Sequence, residues 1–162
     1  MKSVLISIRP WWCLLIAQGK KTVEVRKTIP KLKPPFKVYI YCTGDGIDSN
    51  GYLVINGGTI ENLSSATVAT NGYPHAVDTY SGIRDTSVTI NGGTVYCAEY
   101  SAIRMFCVSE TYKADLVING GTIKSTYRAI RQFLNSTSAQ NILTVNGGTI
   151  EGVNKAIFFH DP

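Results

Sequence analysis

The sequence predicts a mainly β protein, a short parallel β-helix of about four to five coils preceded by a small α+β segment that caps it. Two observations support this fold class. The 162 residues are 44% hydrophobic and only 17% charged, with 15 glycines and 9 tyrosines, a mixture typical of strands joined by many turns. The tetrad Asn-Gly-Gly-Thr also occurs four times. No apolar run approaches the roughly 18 residues of a membrane-spanning helix, so we expect no membrane span.

The net charge of +5 is distributed unevenly along the chain. Residues 1–43 contain nine Lys and Arg against the single acid Glu24, a net charge of +8, whereas residues 44–162 contain seven basic and ten acidic residues, a net charge of −3. This asymmetry predicts two units, a basic N-terminal segment over residues 1–43 and a repeat domain over residues 44–162.

The N-terminal segment has the pattern of a β-α-β-β unit. Residues 4–8 alternate and stop before Pro10, which suits the first turn of a helix, and residues 11–18 continue that helix up to Gly19. Alternating residues 22–27 and the apolar stretch 36–42 then predict two strands. We expect the helix of residues 10–18 to cover the open end of the repeat domain, since a solenoid needs its terminal coil covered.

The same segment resembles the start of an ASCH domain, a PUA-like β-barrel family linked to RNA binding. The resemblance rests on Ser7-Ile8-Arg9-Pro10, on Gln18-Gly19-Lys20-Lys21-Thr22-Val23-Glu24-Val25-Arg26 and on Val38-Tyr39-Ile40-Tyr41-Cys42. It covers only residues 1–43, less than a whole barrel. The resemblance implies an RNA-binding cleft whose side chains are those of Lys20, Lys21, Thr22, Glu24 and Arg26.

The repeat domain is organised around the four tetrads, which begin at Asn56, Asn91, Asn119 and Asn146. Each follows two apolar residues separated by a β-branched Val or Thr, and another apolar residue comes four positions after each Asn, so a strand precedes every tetrad. Gly-Gly permits a sharp change of chain direction. The four asparagines are therefore predicted to stack at a corner as a structural ladder, each amide bonded to that of the next coil.

A second repeated element consists of a small residue, Ile and usually Arg. Its copies are Gly82-Ile83-Arg84, Ala102-Ile103-Arg104, Ala129-Ile130-Arg131 and Ala156-Ile157-Phe158, with Gly46-Ile47-Asp48 as a degenerate first copy. This pattern predicts two strands in a basic period near 20 residues. It also predicts an outward column of Arg84, Arg104 and Arg131, with Tyr80, Tyr100 and Tyr127 three positions before each Ile. Aromatic rings beside arginines can hold a glycan by stacking and bidentate hydrogen bonds.

The repeats resemble the right-handed parallel β-helix, or pectate-lyase-like, proteins of bacterial surfaces and phage particles. The residues that carry this resemblance are Gly44-Asp45-Gly46-Ile47-Asp48-Ser49-Asn50-Gly51 and Leu53-Val54-Ile55-Asn56-Gly57-Gly58-Thr59-Ile60, which look like clostridial surface modules labelled carbohydrate-binding. The resemblance implies a non-enzymatic structural or binding module whose partner is a glycan or a cell-surface polymer.

Two alternative functions stay open at this point. The first is RNA binding through residues 1–43. The second is cleavage of acidic polysaccharides, which needs clustered acids; Asp45 and Asp48 are close in sequence, as are Asp78 and Asp85, but we expect no acid at a matching register on adjacent coils. The sequence therefore predicts no catalytic residue, no metal site and no cofactor.

The sequence also predicts the state of two cysteines, the location of the protein and its assembly. The thiols Cys97 and Cys107 are predicted to be buried and free. Arg9 and Pro10 interrupt the N-terminal apolar stretch, which disfavours a signal peptide and favours the cytoplasm or a phage particle. The last residues lack a capping pattern, which predicts a fragment, an end-to-end or side-by-side oligomer, or an aggregation-prone edge.

Overall fold

The computed structural model describes residues 3–5, 37–39, 45–64, 74–135 and 137–160. The chain divides into two compact units, Met1–Tyr41 and Cys42–Pro162. In the first unit, β1 (Ser3–Leu5) and β2 (Lys37–Tyr39) form a parallel pair. Both strands lie where the sequence predicts strands, whereas the predicted helix of residues 10–18 lies outside the described residues.

The strands of the second unit lie in three parallel sheets. The first sheet contains β4 (Tyr52–Ile55), β7 (Thr86–Ile90), β10 (Lys113–Ile118) and β13 (Gln140–Val145). The second contains β5 (Thr59–Asn62), β8 (Thr94–Cys97), β11 (Thr122–Ser125) and β14 (Thr149–Gly152). The third contains β3 (Ile47–Ser49), β6 (Val77–Ser81), β9 (Ile103–Cys107), β12 (Arg128–Leu134) and β15 (Lys155–His160). No helix in these described ranges is long and apolar enough to cross a membrane.

The three sheets form a β-solenoid of four coils, each contributing one strand to every sheet, and β15 adds a fifth strand to the third sheet. The predicted parallel β-helix and its number of coils are thereby confirmed. The prediction of two strands per coil is wrong, because the Thr of each tetrad and the three residues after it form a strand of their own before the chain turns again. The connections that follow these strands share no residue pattern and differ in length: 14 residues (63–76) separate β5 from β6, and two (153–154) separate β14 from β15.

The core is built from columns of apolar side chains in register from coil to coil. The inward columns are Leu53, Val88, Leu116 and Leu143; Ile55, Ile90, Ile118 and Val145; Ile60, Val95, Ile123 and Ile150; and Ile47, Val77, Ile103, Ile130 and Ile157. In the middle coils these side chains are fully buried. Burial of one such side chain contributes about 1.5–3 kcal/mol, so the stacked columns hold neighbouring coils together.

The corner between the first and second sheets carries the four tetrads. Asn91 Nδ2 donates to Asn56 Oδ1 at 2.7 Å, Asn119 to Asn91 at 2.8 Å, and Asn146 to Asn119 at 2.8 Å, forming the asparagine ladder. The second glycine of each tetrad has a positive φ, for example +88° at Gly121. This conformation turns the chain sharply at little cost only for glycine.

Candidate ligand-binding face

The candidate site is the outer face of the five-stranded third sheet, referred to below as the outer face. Side chains of a strand alternate between the two sides of a sheet, so every second residue of β6, β9, β12 and β15 points away from the core. In β9, Ile103, Met105 and Cys107 are buried, whereas Arg104 and Phe106 are only half-buried. Outward residues of successive coils lie next to one another and form two columns.

The first of these, the charged column, consists of Asp48, Asp78, Arg104 and Arg131, with Phe158 after them on β15. The adjacency of Arg104 and Arg131 follows the predicted alignment. Arg84 does not belong to the column: the residue in register with Arg104 is Asp78, and Arg84 is exposed in the connection between β6 and β7. The alignment through Ile83 is therefore wrong, since Val77 occupies the inward position of that coil.

Asp78 and Arg104 form an ion pair between adjacent coils. Arg104 Nε donates to Asp78 Oδ1 at 2.7 Å, and its Nη2 donates to Asp78 Oδ2. Asp78 is only 5% exposed, so its carboxylate is partly dehydrated. The bidentate hydrogen bonds from Arg104 compensate this buried charge. The pair fixes the guanidinium plane against the sheet.

Two further acids lie beside this pair. Burial, together with the nearby Asp78 carboxylate, raises the pKa of Asp45 to about 6, although the backbone N–H of His75 donates to Asp45 Oδ1 at 2.7 Å. The pKa of Asp48 is also raised, by burial and by Asp78. Asp48 and Asp78 are in register on adjacent coils, so the expectation that no acids match between coils is wrong.

These acids do not form a recognisable metal site. Within the described ranges, no group of three or more His, Cys, Asp or Glu side chains is arranged to hold a metal ion. The thiols Cys97 and Cys107 are buried and free, as predicted. Burial raises the pKa of the Cys97 thiol, so at neutral pH this sulfur is a poor metal ligand and nucleophile.

The second outward column, the ring column, consists of Tyr80, Phe106, Phe133 and His160. The ring centroids of Tyr80 and Phe106 are 5.7 Å apart and those of Phe106 and Phe133 are 4.9 Å apart, both with edge-to-face geometry. Phe133 and His160 stack at 4.4 Å. One aromatic ring per coil therefore runs along the solenoid axis.

The two columns contact each other in β9 and β12. The Arg104 guanidinium lies 5.2 Å from the centre of the Phe106 ring, and that of Arg131 lies 5.1 Å from the centre of the Phe133 ring. Both distances are within the range of cation–π attraction. The outer face thus presents hydrogen-bonding groups directly beside aromatic surface.

Tyr100 and Tyr127 do not flank the arginines as predicted. Tyr100 lies before β9 and packs against the core, with its ring edge-on to that of His75 at 6.4 Å. Tyr127 lies before β12, where its hydroxyl accepts a hydrogen bond from Arg128 Nη2 at 2.9 Å. The rings beside the arginines instead come two positions later in the strand, a spacing that is visible in the sequence as Asp-x-Tyr, Arg-x-Phe, Arg-x-Phe and Phe-x-His.

The RNA-binding residues implied by the ASCH resemblance, Lys20, Lys21, Thr22, Glu24 and Arg26, lie outside the described residues. Comparison of the chain with protein-family models, with curated proteins and with solved structures finds no match. The resemblances to ASCH domains and to pectate-lyase-like surface proteins therefore stay predictions.

Proposed function

We propose that the β-solenoid is a carbohydrate-binding module and that a glycan lies on the outer face, across the ring column and the charged column. The observation that carries this proposal is the side-by-side arrangement of the two columns over successive coils. The proposal keeps Arg104 and Arg131 from the sequence interpretation. It replaces Arg84, Tyr100 and Tyr127 with Asp78, Tyr80, Phe106 and Phe133.

The ring column supplies the apolar half of such a site. A sugar ring has a face of C–H groups that packs on aromatic rings, and rigid rings lose little conformational entropy when they bind. Tyr80 is 38% exposed and its neighbours Phe106 and Phe133 are half-buried, so all three reach the surface. Because the column continues through several coils, it favours an extended polymer over a single sugar.

The charged column supplies the polar half. Arg104 is already oriented by Asp78, and a carboxylate–guanidinium pair offers both acceptors and donors to sugar hydroxyls. A pre-oriented guanidinium loses less entropy on binding than a mobile lysine. A role in a bacterial surface or phage protein, which the resemblance of the repeats implies, agrees with a polymeric glycan partner and belongs to the same proposal.

The experiment is a glycan-array screen of the full chain, followed by calorimetric titration of the glycan that binds best. Phe133→Ala and Arg131→Ala should each weaken binding about tenfold, because each removes roughly 1.4 kcal/mol of contact. Tyr52→Ala is the matched control: this aromatic residue is 82% exposed on the first sheet and should leave affinity unchanged. Equal binding by all three variants, or no bound glycan on the array, would contradict the proposal.

A further inference from the structure

Asparagine followed by glycine is the dipeptide at which a protein chain most readily loses ammonia, because glycine has no side chain to shield its backbone nitrogen. That nitrogen can attack the side-chain Cγ of the asparagine and close a succinimide ring. The chain contains six such pairs, at residues 50–51, 56–57, 71–72, 91–92, 119–120 and 146–147. Four of them belong to the asparagine ladder, and the pair at residues 71–72 lies outside the described residues.

The four ladder pairs have the same local sequence, Asn-Gly-Gly-Thr preceded by Ile or Val. In an unfolded chain they would therefore react at nearly the same rate. All four asparagines are exposed in the folded protein, so water reaches each of them. A difference in reactivity between them must then come from the contacts that each one makes with the neighbouring coils.

Hydrogen bonds restrain the two inner asparagines of the ladder on both sides. Asn91 donates to Asn56 at 2.7 Å and accepts from Asn119 at 2.8 Å. Asn119 in turn accepts from Asn146 at 2.8 Å. Because Cγ can meet the glycine nitrogen only if the carboxamide turns out of the ladder, these bonds must break first. Each bond that breaks should slow the reaction about fivefold.

Asn56 is restrained on one side only. Its Oδ1 accepts from Asn91, but its Nδ2, the atom that leaves as ammonia, donates to no group within the described ranges. A single ladder bond therefore opposes rotation of this carboxamide, whereas two bonds oppose rotation of the carboxamides of Asn91 and Asn119.

The first corner also has more room than the later ones. A Cβ atom on Gly57 would meet nothing within 4 Å, whereas one on Gly120 would lie 3.0 Å from the carbonyl oxygen of Asn91. The N–H of Gly147 donates to the carbonyl oxygen of Ile118 at 3.3 Å, which holds the attacking nitrogen of the last corner in place. Ring closure moves the glycine nitrogen toward Cγ and shifts the adjacent backbone. Contacts with the preceding coil therefore oppose ring closure at the later corners.

We propose that the ladder protects its asparagines from spontaneous deamidation and that Asn56 is the member of the ladder that is modified, to aspartate and isoaspartate. The backbone nitrogen of Gly57 bonds to Asn56 Cγ and the bond from Cγ to Nδ2 breaks, so that Nδ2 leaves as ammonia and takes the proton of the Gly57 N–H with it. Water then opens the ring. Its addition at Cγ gives aspartate, and its addition at the backbone carbonyl carbon gives isoaspartate; either product adds one negative charge.

The aspartate product is compatible with the first position of the ladder. A carboxylate only accepts hydrogen bonds, and Asn56 takes part in the ladder only as an acceptor. The same change at Asn119 would remove the donor to Asn91 Oδ1 and set two acceptor oxygens against each other. Asn56→Asp should therefore leave the urea midpoint of unfolding unchanged, whereas Asn119→Asp should lower it.

The direct test is to age the folded full chain in mildly alkaline buffer made with heavy-oxygen water and to map the labelled residues by mass spectrometry. We expect Asn56 to convert at least about fivefold faster than Asn91 or Asn119. Asn50, which lies between β3 and β4 and outside the ladder, is followed as the unprotected reference. In concentrated urea, where the ladder is absent, the four tetrads should convert at equal rates.

Two variants identify the cause of the difference. Gly57→Ala shields the attacking nitrogen with a Cβ atom and should slow the conversion of Asn56 several-fold without affecting Asn91. Asn91→Ala removes the acceptor of Asn119 Nδ2 and should accelerate Asn119 about fivefold, while Asn146 keeps its ladder bond and its rate. Circular dichroism verifies that both variants are folded. Conversion of Asn91 or Asn119 as fast as that of Asn56 in the folded chain, a difference that persists in urea, or an unchanged rate for Asn119 in folded Asn91→Ala would overturn the proposal.

Discussion

The asparagine ladder and the outer face belong to the same four coils but differ in how much their residues vary from coil to coil. At the corner, every coil presents Asn, Gly, Gly and Thr in the same order. On the outer face the charged column changes from Asp through Arg to Phe, and the ring column changes from Tyr through Phe to His. Stacking dictates the residues at the corner, whereas the fold leaves the outward positions free to take on a ligand.

Close contact between coils explains why the same residues recur at every corner. A Cβ atom at Gly121 would lie 2.7 Å from the carbonyl oxygen of Gly93, and one at Gly148 would lie 2.7 Å from that of Gly121. No rotation of a side chain relieves such a clash, because the neighbouring atom belongs to the backbone. The ring column, by contrast, contains Tyr, Phe and His at equivalent positions.

The largest expected effect on stability comes from glycine substitutions at the corner. They distinguish the cost of a steric clash between coils from the cost of a positive φ. Gly121→Ala suffers both and should lower the free energy of unfolding by about 3 kcal/mol. Gly58 has φ +85° but open space around it, so Gly58→Ala should cost about 1–2 kcal/mol. Gly57→Ala has neither problem and should change stability by less than about 0.5 kcal/mol. Urea denaturation measures all three.

The order of the three losses in stability tests whether contact between coils restricts the corner residues. If Gly121→Ala were no worse than Gly58→Ala, contact between coils would not be what restricts the corner, and positive φ alone would explain the repeated glycines.

A second prediction concerns the acids beside the charged column. Because the pKa of Asp45 is raised to about 6 from an ordinary 3.8, the folded state holds a proton between pH 4 and 6 that the unfolded state releases. Stability contributed by this group therefore falls as pH rises through that window. The Asp45→Asn variant lacks this carboxyl and does not lose this stability as the pH rises. The free energy of unfolding of the variant minus that of the native protein should therefore increase by about 1–2 kcal/mol between pH 4 and pH 6.5.

Unfolding measured at both pH values checks this result. The pKa of His75, lowered to about 3 by burial and by Arg104, affects both proteins alike and cancels in the difference. A stability difference that does not depend on pH would show that the Asp45 carboxyl is not held neutral by its surroundings.

The smallest effect is expected in the asparagine ladder itself. Asn119 donates to Asn91 and accepts from Asn146, whereas Asn56 takes part only as an acceptor. Asn119→Ala should therefore destabilise the protein by about 1 kcal/mol more than Asn56→Ala, since it removes one more hydrogen bond. Thermal unfolding of the two variants gives the difference directly, and equal losses would mean that the ladder contributes little beyond its backbone.

The sequence predicts the corner well because stacking imposes the same residues on every coil. It predicts the third sheet less well, because the connection that leads into it varies in length and has no required residue. Ile83 precedes Asn91 by eight residues, close to the nine between Ile47 and Asn56, and this coincidence placed Arg84 in the wrong column. The better guide is the aromatic ring two positions after each outward residue, at Tyr80, Phe106, Phe133 and His160, because no ring stands two positions after Arg84.

Only part of the candidate site on the outer face could be predicted from the sequence, because the site lies on this third sheet. The adjacency of Arg104 and Arg131 follows from the predicted alignment of Ile103 with Ile130, whereas the pairing of Asp78 with Arg104 requires Val77, and not Ile83, to align with Ile103. The ring column depends on which alternate residues face outward, which becomes clear only when Val77 is recognised as the inward residue of β6.

The contacts at the glycine corner also bear on how such a protein can lengthen. The atoms that crowd Gly93, Gly121 and Gly148 all belong to the preceding coil, while Gly57 and Gly58 have nothing within 4 Å. Each coil thus imposes its requirement on the one after it. A gene duplication that copies a later coil carries the needed glycines with it, whereas Gly57 of the first corner can be replaced without a clash until another coil is placed before it.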